Sequence, residues 1–179
     1  MGPLDILKLI ASYSQTVWIN LALVDRPFRA WAYSEAGRLA FVRTFTTVEI
    51  TRGAREWRLL GHLHRIGDRP ARIIDGAKYW YRAGQRYRAN GRPSVVYRGR
   101  REWWTGDRLV GPTVAGVVGP GIIIDGAQLW YEYGTATHTY AMTQHGYPVE
   151  RGRNILHRDG GPAVVDVRGA EYWQHGRRV

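Results

Sequence analysis

Six histidines, 15 carboxylates and no cysteine bound the chemistry open to this 179-residue chain. Without cysteine there is no disulfide, no thiolate metal site and no cysteine nucleophile. His62-x-His64 places two imidazoles on one face of a strand, a spacing that suits a metal pair. His64 also belongs to a recurring motif, where a turn-stabilising hydrogen bond is the simpler expectation. His138, His145, His157 and His175 fall in loops, with no serine or acid at the spacing of a catalytic triad. Gly116-Val117-Val118-Gly119-Pro120-Gly121 is glycine-rich, but no Lys-Ser/Thr follows it. The next segment, Ile122 to Asp125, reads as a strand, so a phosphate-binding loop is rejected. Asp75, Asp125 and Asp166 recur with the repeat described below, which makes them turn formers before acids or bases. The expectation is a non-enzyme with no catalytic, cofactor-binding or metal-binding residues and no cofactor.

The elements that hold these residues repeat. Gly-x-x-x-Trp occurs at Gly53/Trp57, Gly76/Trp80, Gly99/Trp103, Gly126/Trp130 and Gly169/Trp173, with the glycines 23, 23, 27 and 43 residues apart. The last interval is nearly two periods, and Gly152 begins a degenerate copy within it. Pro70, Pro93, Pro148 and Pro162 keep phase with the glycines, and short apolar runs follow several of them: Ala71 to Ile74, Ser94 to Tyr97, Ala163 to Val165. A further glycine trails each tryptophan, at Gly61, Gly84, Gly106, Gly134 and Gly176. Each unit reads as a β-branched strand, a tight turn such as Asp75-Gly76 or Asp125-Gly126, and an aromatic-bearing return strand. One such hairpin cannot bury enough to stand alone, so stability must come from stacking on neighbours. The predicted class is mostly all-β: a tandem β-hairpin array of about 23-residue units over 51–179, preceded by an N-terminal helix and cap over 1–50.

Within 1–50, Leu4, Leu7 and Ile10 after Pro3 predict a helix to about Tyr13. Val17–Val24, Arg29–Tyr33 and Leu39–Ile50 then read as strands, broken at Asp25-Arg26-Pro27 and Glu35-Ala36-Gly37. This segment is expected to cap the array or to anchor a partner.

Lysine and arginine number 26 against 15 acids, a formal charge of +11. All of the cations but Lys8 and Lys78 are arginine. The excess points to an acidic protein surface, an anionic membrane surface or nucleic acid, the last as the main alternative to protein since arginine and aromatics interleave at Tyr81-Arg82, Arg86-Tyr87-Arg88 and Tyr97 to Arg101. Arg98, Arg100 and Arg101 are the candidate contact patch. The longest apolar run, Val17 to Val24, is too short for a membrane span. Asp5 before Lys8 does not suit a secretory signal. The expectation is an intracellular, soluble chain, with self-association open.

Leu156-His157-Arg158-Asp159-Gly160-Gly161-Pro162-Ala163 resembles the His-Arg-x-x-Gly-Pro-Ala motif of a MORN-like repeat subfamily. His64 to Ala71 and Tyr87 to Ser94 are looser copies, the second with Tyr in place of His. The resemblance covers about Gly53 to Val179. It departs at Gly111 to Gly121, where extra glycine and apolar residues are inserted, and at Thr135 to Gly152, which lacks a clear tryptophan. Proteins of this kind are frequent in large DNA viruses and tailed phages. The resemblance implies a non-catalytic structural or scaffolding role among other proteins of a large assembly, such as a minor component of a virus particle.

Overall fold

Asp25 and Ser34 decide how the N-terminal segment folds. The Asp25 carboxylate accepts the Phe28 amide at 2.6 Å, and the Ser34 hydroxyl accepts the Gly37 amide at 3.2 Å. Each satisfies an orphan donor at a helix start. The structure, a computed structural model, describes residues 2–114, 117–133, 142–151 and 153–179. Among the described residues there are four helices: α1 Pro3–Ala11, α2 Gln15–Val24, α3 Arg26–Ala32 and α4 Glu35–Phe45. The helix expected at Pro3 is present. The strands expected over Val17–Val24, Arg29–Tyr33 and the first half of Leu39–Ile50 are helices instead. Asp25-Arg26-Pro27 and Glu35-Ala36-Gly37, read as strand breaks, are a helix cap with proline in the first turn and the opening of a capped helix. Trp18, Phe28, Trp31, Phe41 and Phe45 converge in one aromatic core, with Trp18 within 6 Å of each of the other four rings. Gly37 lets α4 meet the end of α3: a Cβ there would lie 2.1 Å from the Trp31 carbonyl oxygen.

The chain enters the β-array at Thr46, five residues before the expected boundary. Five hairpins follow: Thr46–Thr51 with Ala54–Leu59, Arg72–Ile74 with Ala77–Tyr79, Val95–Tyr97 with Arg100–Glu102, Ile122–Ile124 with Ala127–Leu129, and Val164–Asp166 with Gly169–Glu171. They join in sequence order as one antiparallel meander, which His62–Leu63 completes as an 11-stranded sheet by pairing with the second strand. The β-hairpin array read from the sequence is therefore the fold.

In the second, third and fifth units the chain leaves the sheet at one residue and enters a short side hairpin. In the fourth it enters an excursion, and in the first Ala54–Leu59 runs unbroken through Trp57 and pairs with His62–Leu63. The bend residues are Trp80, Trp103, Trp130 and Tyr172, with Trp57 as their counterpart in the first unit. In the first four units the bend amide donates to the residue after the next loop's proline: Trp57 to Ala71, Trp80 to Ser94, Trp103 to Gly121, Trp130 to Ala163. In all five the bend carbonyl accepts from His64, Tyr87, Val110, His157 or Val179. The proline markers are thus Pro70, Pro93, Pro120 and Pro162; Pro148 lies elsewhere, bridged to Met142. The side hairpins turn at Leu60-Gly61, Ala83-Gly84, Gly106 and His175-Gly176, all at positive φ, as the trailing glycines imply.

The fifth unit is one residue out of step. Asp166 pairs with Gly169, as Ile74 pairs with Ala77, so its turn is Val167-Arg168. Gly169 therefore holds a strand position rather than a turn. Trp173 takes the place of Trp104, and Tyr172 that of the bend tryptophans. The long fourth interval is an excursion, not another unit. Tyr131–Tyr133 pairs with Asn154–Leu156, Glu150–Arg151 joins them, and Ala127–Leu129 pairs directly with Val164–Asp166. Gly116, Gly134, His138 and Gly152 lie outside the described residues.

The core of the array lies under one face of the sheet, where Val95, Ile122, Leu129 and Val164 meet Trp104, Leu109, Val149, Leu156 and Trp173 from the side hairpins and excursion.

Candidate functional site

The arginine of each motif copy proves to be a packing residue. Arg65, Arg88 and Arg158 place their guanidinium carbons 3.6, 3.8 and 3.9 Å from the ring centroids of Trp57, Trp80 and Trp130. The same three donate to the carbonyls of Pro70, Pro93 and Pro162 at 3.1 to 3.2 Å. A planar cation can stack on the indole and still donate in its own plane, which an ammonium cannot. Trp80, Trp103 and Trp130 donate their indole N–H to carbonyls of Asp68, Gly91 and Val118, each 12 residues earlier in the preceding loop. One tryptophan thus ties two units together, and part of the positive charge is consumed in doing so.

The motif histidine is also spent locally. His64 Nδ1 accepts the Ala83 amide at 3.1 Å, and His157 Nδ1 accepts the His175 amide at 3.2 Å. Burial, aided by the Arg82 charge, lowers the His64 pKa below its ordinary value, consistent with a neutral acceptor. This is the turn-stabilising hydrogen bond expected for His64.

Carboxylates are paired with comparable care. Glu102, 4% exposed, takes Arg100, Arg151 and the Trp104 indole. Glu171, 2% exposed, takes the Trp173 indole and the Gln144 and His145 amides. Hydrogen bonds from Arg88 outweigh the opposing effect of burial and, with Arg92, hold Asp68 at a pKa of about 2. Burial pushes Asp166 upward, but Arg168 and Tyr147 together overcome it and leave that group at about 2 as well.

Among the described residues, Glu132, His157 and His175 form the one cluster of three or more His and acid groups able to gather a cation, their ligand atoms within 4.8 Å of one another. The rings of His157 and His175 stack at 4.5 Å, and His175 Nδ1 meets a Glu132 oxygen. His157 Nε2 lies 3.3 Å from Asp159. Because His157 Nδ1 accepts an amide, its ring proton sits on Nε2 and points at these carboxylates. A metal there would require the other tautomer and the loss of a bond that His64 repeats without a third ligand. The arrangement fits a hydrogen-bonded clasp between the fourth and fifth units better than a metal centre.

The opposite face of the sheet is open. One residue from each strand lies in a row across it: Ile50 opposite Arg55, then the middle residues Ile73, Lys78, Val96, Arg101, Ile123, Gln128, Val165 and Ala170. Arg55, Lys78, Arg101 and Gln128 are exposed, and the aliphatic residues between them are half-buried. Of the expected patch, Arg101 belongs to this row. Arg98 sits in the exposed turn beside it, 5.0 Å over Tyr97, whereas Arg100 points to the covered face and binds Glu102. The sequence reading therefore found Arg101 but missed Arg55 and Lys78. Their signal was available: the second residue after each of the first four repeat glycines reads Arg55, Lys78, Arg101, Gln128.

A second exposed region lies on the helices, where Ile6, Leu9, Ile10 and Tyr13 of and just after α1, and Ile19, Leu23 and Val24 of α2, face outward. Among the described residues, no helix is long and apolar enough to cross a membrane. Compared with known proteins, the chain matches no protein-family model, no curated protein and no solved structure.

Proposed function

We propose that this chain is a non-enzymatic structural protein that holds other proteins of a large assembly together. The observation that carries this reading is the division of labour between the two sheet faces. The repeated Trp, Arg, His and Glu side chains are consumed in joining unit to unit, while an in-register row of cations and aliphatics stays uncovered across the sheet. A rigid array with one uncommitted face suits a scaffold, and the outward apolar side chains of α1 and α2 suit its anchor. The MORN-like motif supports the same role and, through its frequency in large DNA viruses and tailed phages, a minor place in a virus particle.

The runner-up is a basic nucleic-acid-binding module. Arg108 and Arg153 flank Tyr133 at 4.5 and 5.6 Å, an aromatic–cation arrangement on which a base could stack. Light scattering of the purified chain before and after nuclease separates the two. A mass unchanged by nuclease, as monomer or protein oligomer, is the expected result. A mass that falls on nuclease treatment would put nucleic acid first.

A further inference from the structure

The composition of the open row defines the chemistry of what covers it. We infer that Arg55, Lys78 and Arg101, with Ile73, Val96 and Ile123, dock an acidic amphipathic helix of another protein. This rests on the scaffold reading and names its partner class and site.

The pattern is built by the hairpin itself. The first strand of a unit gives the row an aliphatic residue and the second gives it a cation, so Ile73 pairs with Lys78 and Val96 with Arg101. Across the junctions Arg55 pairs with Ile73, Lys78 with Val96, and Arg101 with Ile123. Ten residues in file contain no acid to neutralise the cations. Successive cations stand two strands apart, about 9–10 Å at ordinary strand spacing. Carboxylates at i and i+7 of a helix are about 10.5 Å apart, and the aliphatic residues at i+3 or i+4 between them fall on the same face. A helix laid on an open sheet face is the ordinary way the two element types form layers.

Other occupants fit the row less well. Nucleic acid brings a phosphate about every 3.4 Å along each strand, far denser than this file of cations, and Trp57, beside Arg55, is already stacked against Arg65. A second copy of the chain would set cation against cation.

The test is fluorescence anisotropy of the full chain with three labelled probes: a synthetic helix of about 20 residues with glutamate at heptad spacing and leucine between, its scrambled counterpart, and oligothymidine. The patterned helix should bind tightest and lose roughly tenfold or more in affinity to Arg55→Glu/Lys78→Glu/Arg101→Glu. The shape-preserving Arg55→Gln/Lys78→Gln/Arg101→Gln variant should fall between, and Arg177→Glu/Arg178→Glu should change little. Parental thermal melting of the glutamine variant keeps the comparison valid if charge reversal disturbs folding. Equal binding of the scrambled helix would reduce the row to general charge attraction and overturn the proposal. So would indifference to both triple variants, or oligothymidine binding that those variants abolish. Failure of the patterned helix, with a solution mass still insensitive to nuclease, would remove this partner and leave the scaffold reading standing.

Discussion

The guanidinium of Arg88 lies 3.8 Å from the ring centroid of Trp80, while the Trp80 indole reaches back to the Asp68 carbonyl and the Arg88 side chain to the Asp68 carboxylate. Arg88 also donates to Pro93 on the way into the next unit. Two side chains eight residues apart thus span three successive segments of the array. Trp80→Ala should lower stability by about 3–5 kcal/mol in urea unfolding. Arg88→Lys, which keeps the charge but loses the planar stack, should lower it by about 1 kcal/mol. A Trp80→Ala protein that unfolds at the parental urea concentration would remove the tryptophan from its central place.

Adjacent turns meet at Gly99 and Asp125. The Asp125 amide donates to the Gly99 carbonyl at 3.2 Å, and a Cβ on Gly99 would lie 2.0 Å from Asp125 Oδ1. The exposed Asp125 carboxylate can swing aside, so Gly99→Ala should cost only about 0.5–1 kcal/mol. Most of that should return in Gly99→Ala/Asp125→Gly, because glycine removes the clashing atom and suits the positive φ of that turn position. A double-mutant cycle reads the coupling directly, and strictly additive effects would show that Asp125 is not the obstacle.

Asn154 pins the excursion to the third unit. Fully buried, it accepts the Leu109 amide at 2.7 Å and donates to the Asp107 and Arg151 carbonyls at 2.8 and 3.0 Å. In Asn154→Asp a carboxylate oxygen would face those two carbonyls, at a cost of about 1–3 kcal/mol at neutral pH. Hydrogen exchange should show faster exchange at the Leu109 amide, with amides of α1 to α4 unaffected.

Acid should loosen the array in a defined window. Asp68 and Asp166 titrate near 2 in the folded protein against an ordinary value of 3.8. Between those values the unfolded chain binds more protons than the folded one, so stability falls as pH falls. Their contribution is complete above about pH 4 and lost as pH approaches 2. Thermal melts across that range should show the decline, and Asp68→Asn/Asp166→Asn should flatten it. A double variant with the parental slope would assign acid sensitivity to other groups.

Much of this architecture was legible before the fold. The spacing of Gly53, Gly76, Gly99 and Gly126 fixes the turns, because a tight hairpin turn limits what can stand there, and the tryptophan four residues on marks each bend. The N-terminal segment was misread for a related reason. Its apolar runs are short, and short runs suit strand and helix alike; the decision fell to caps at Asp25 and Ser34 and to an aromatic core assembled from all of the last three helices. The slip at Gly169 was equally hidden, since moving a turn by one residue leaves the sequence motif intact while it sends each following side chain to the opposite face, which puts Glu171 under the sheet and Ala170 in the open row.

The sequence by itself determined the repeat, its turns, its charge and the alternation of cation and aliphatic, all of which are local properties of a 23-residue unit. Tertiary structure alone decided which arginines are consumed and which remain. Arg88 bends back onto Trp80 of its own unit and the Pro93 carbonyl that leads into the next, while Arg101 stands in mid-strand on the open face. The hairpin sets which face each side chain takes, and pairing between units joins those positions into one row.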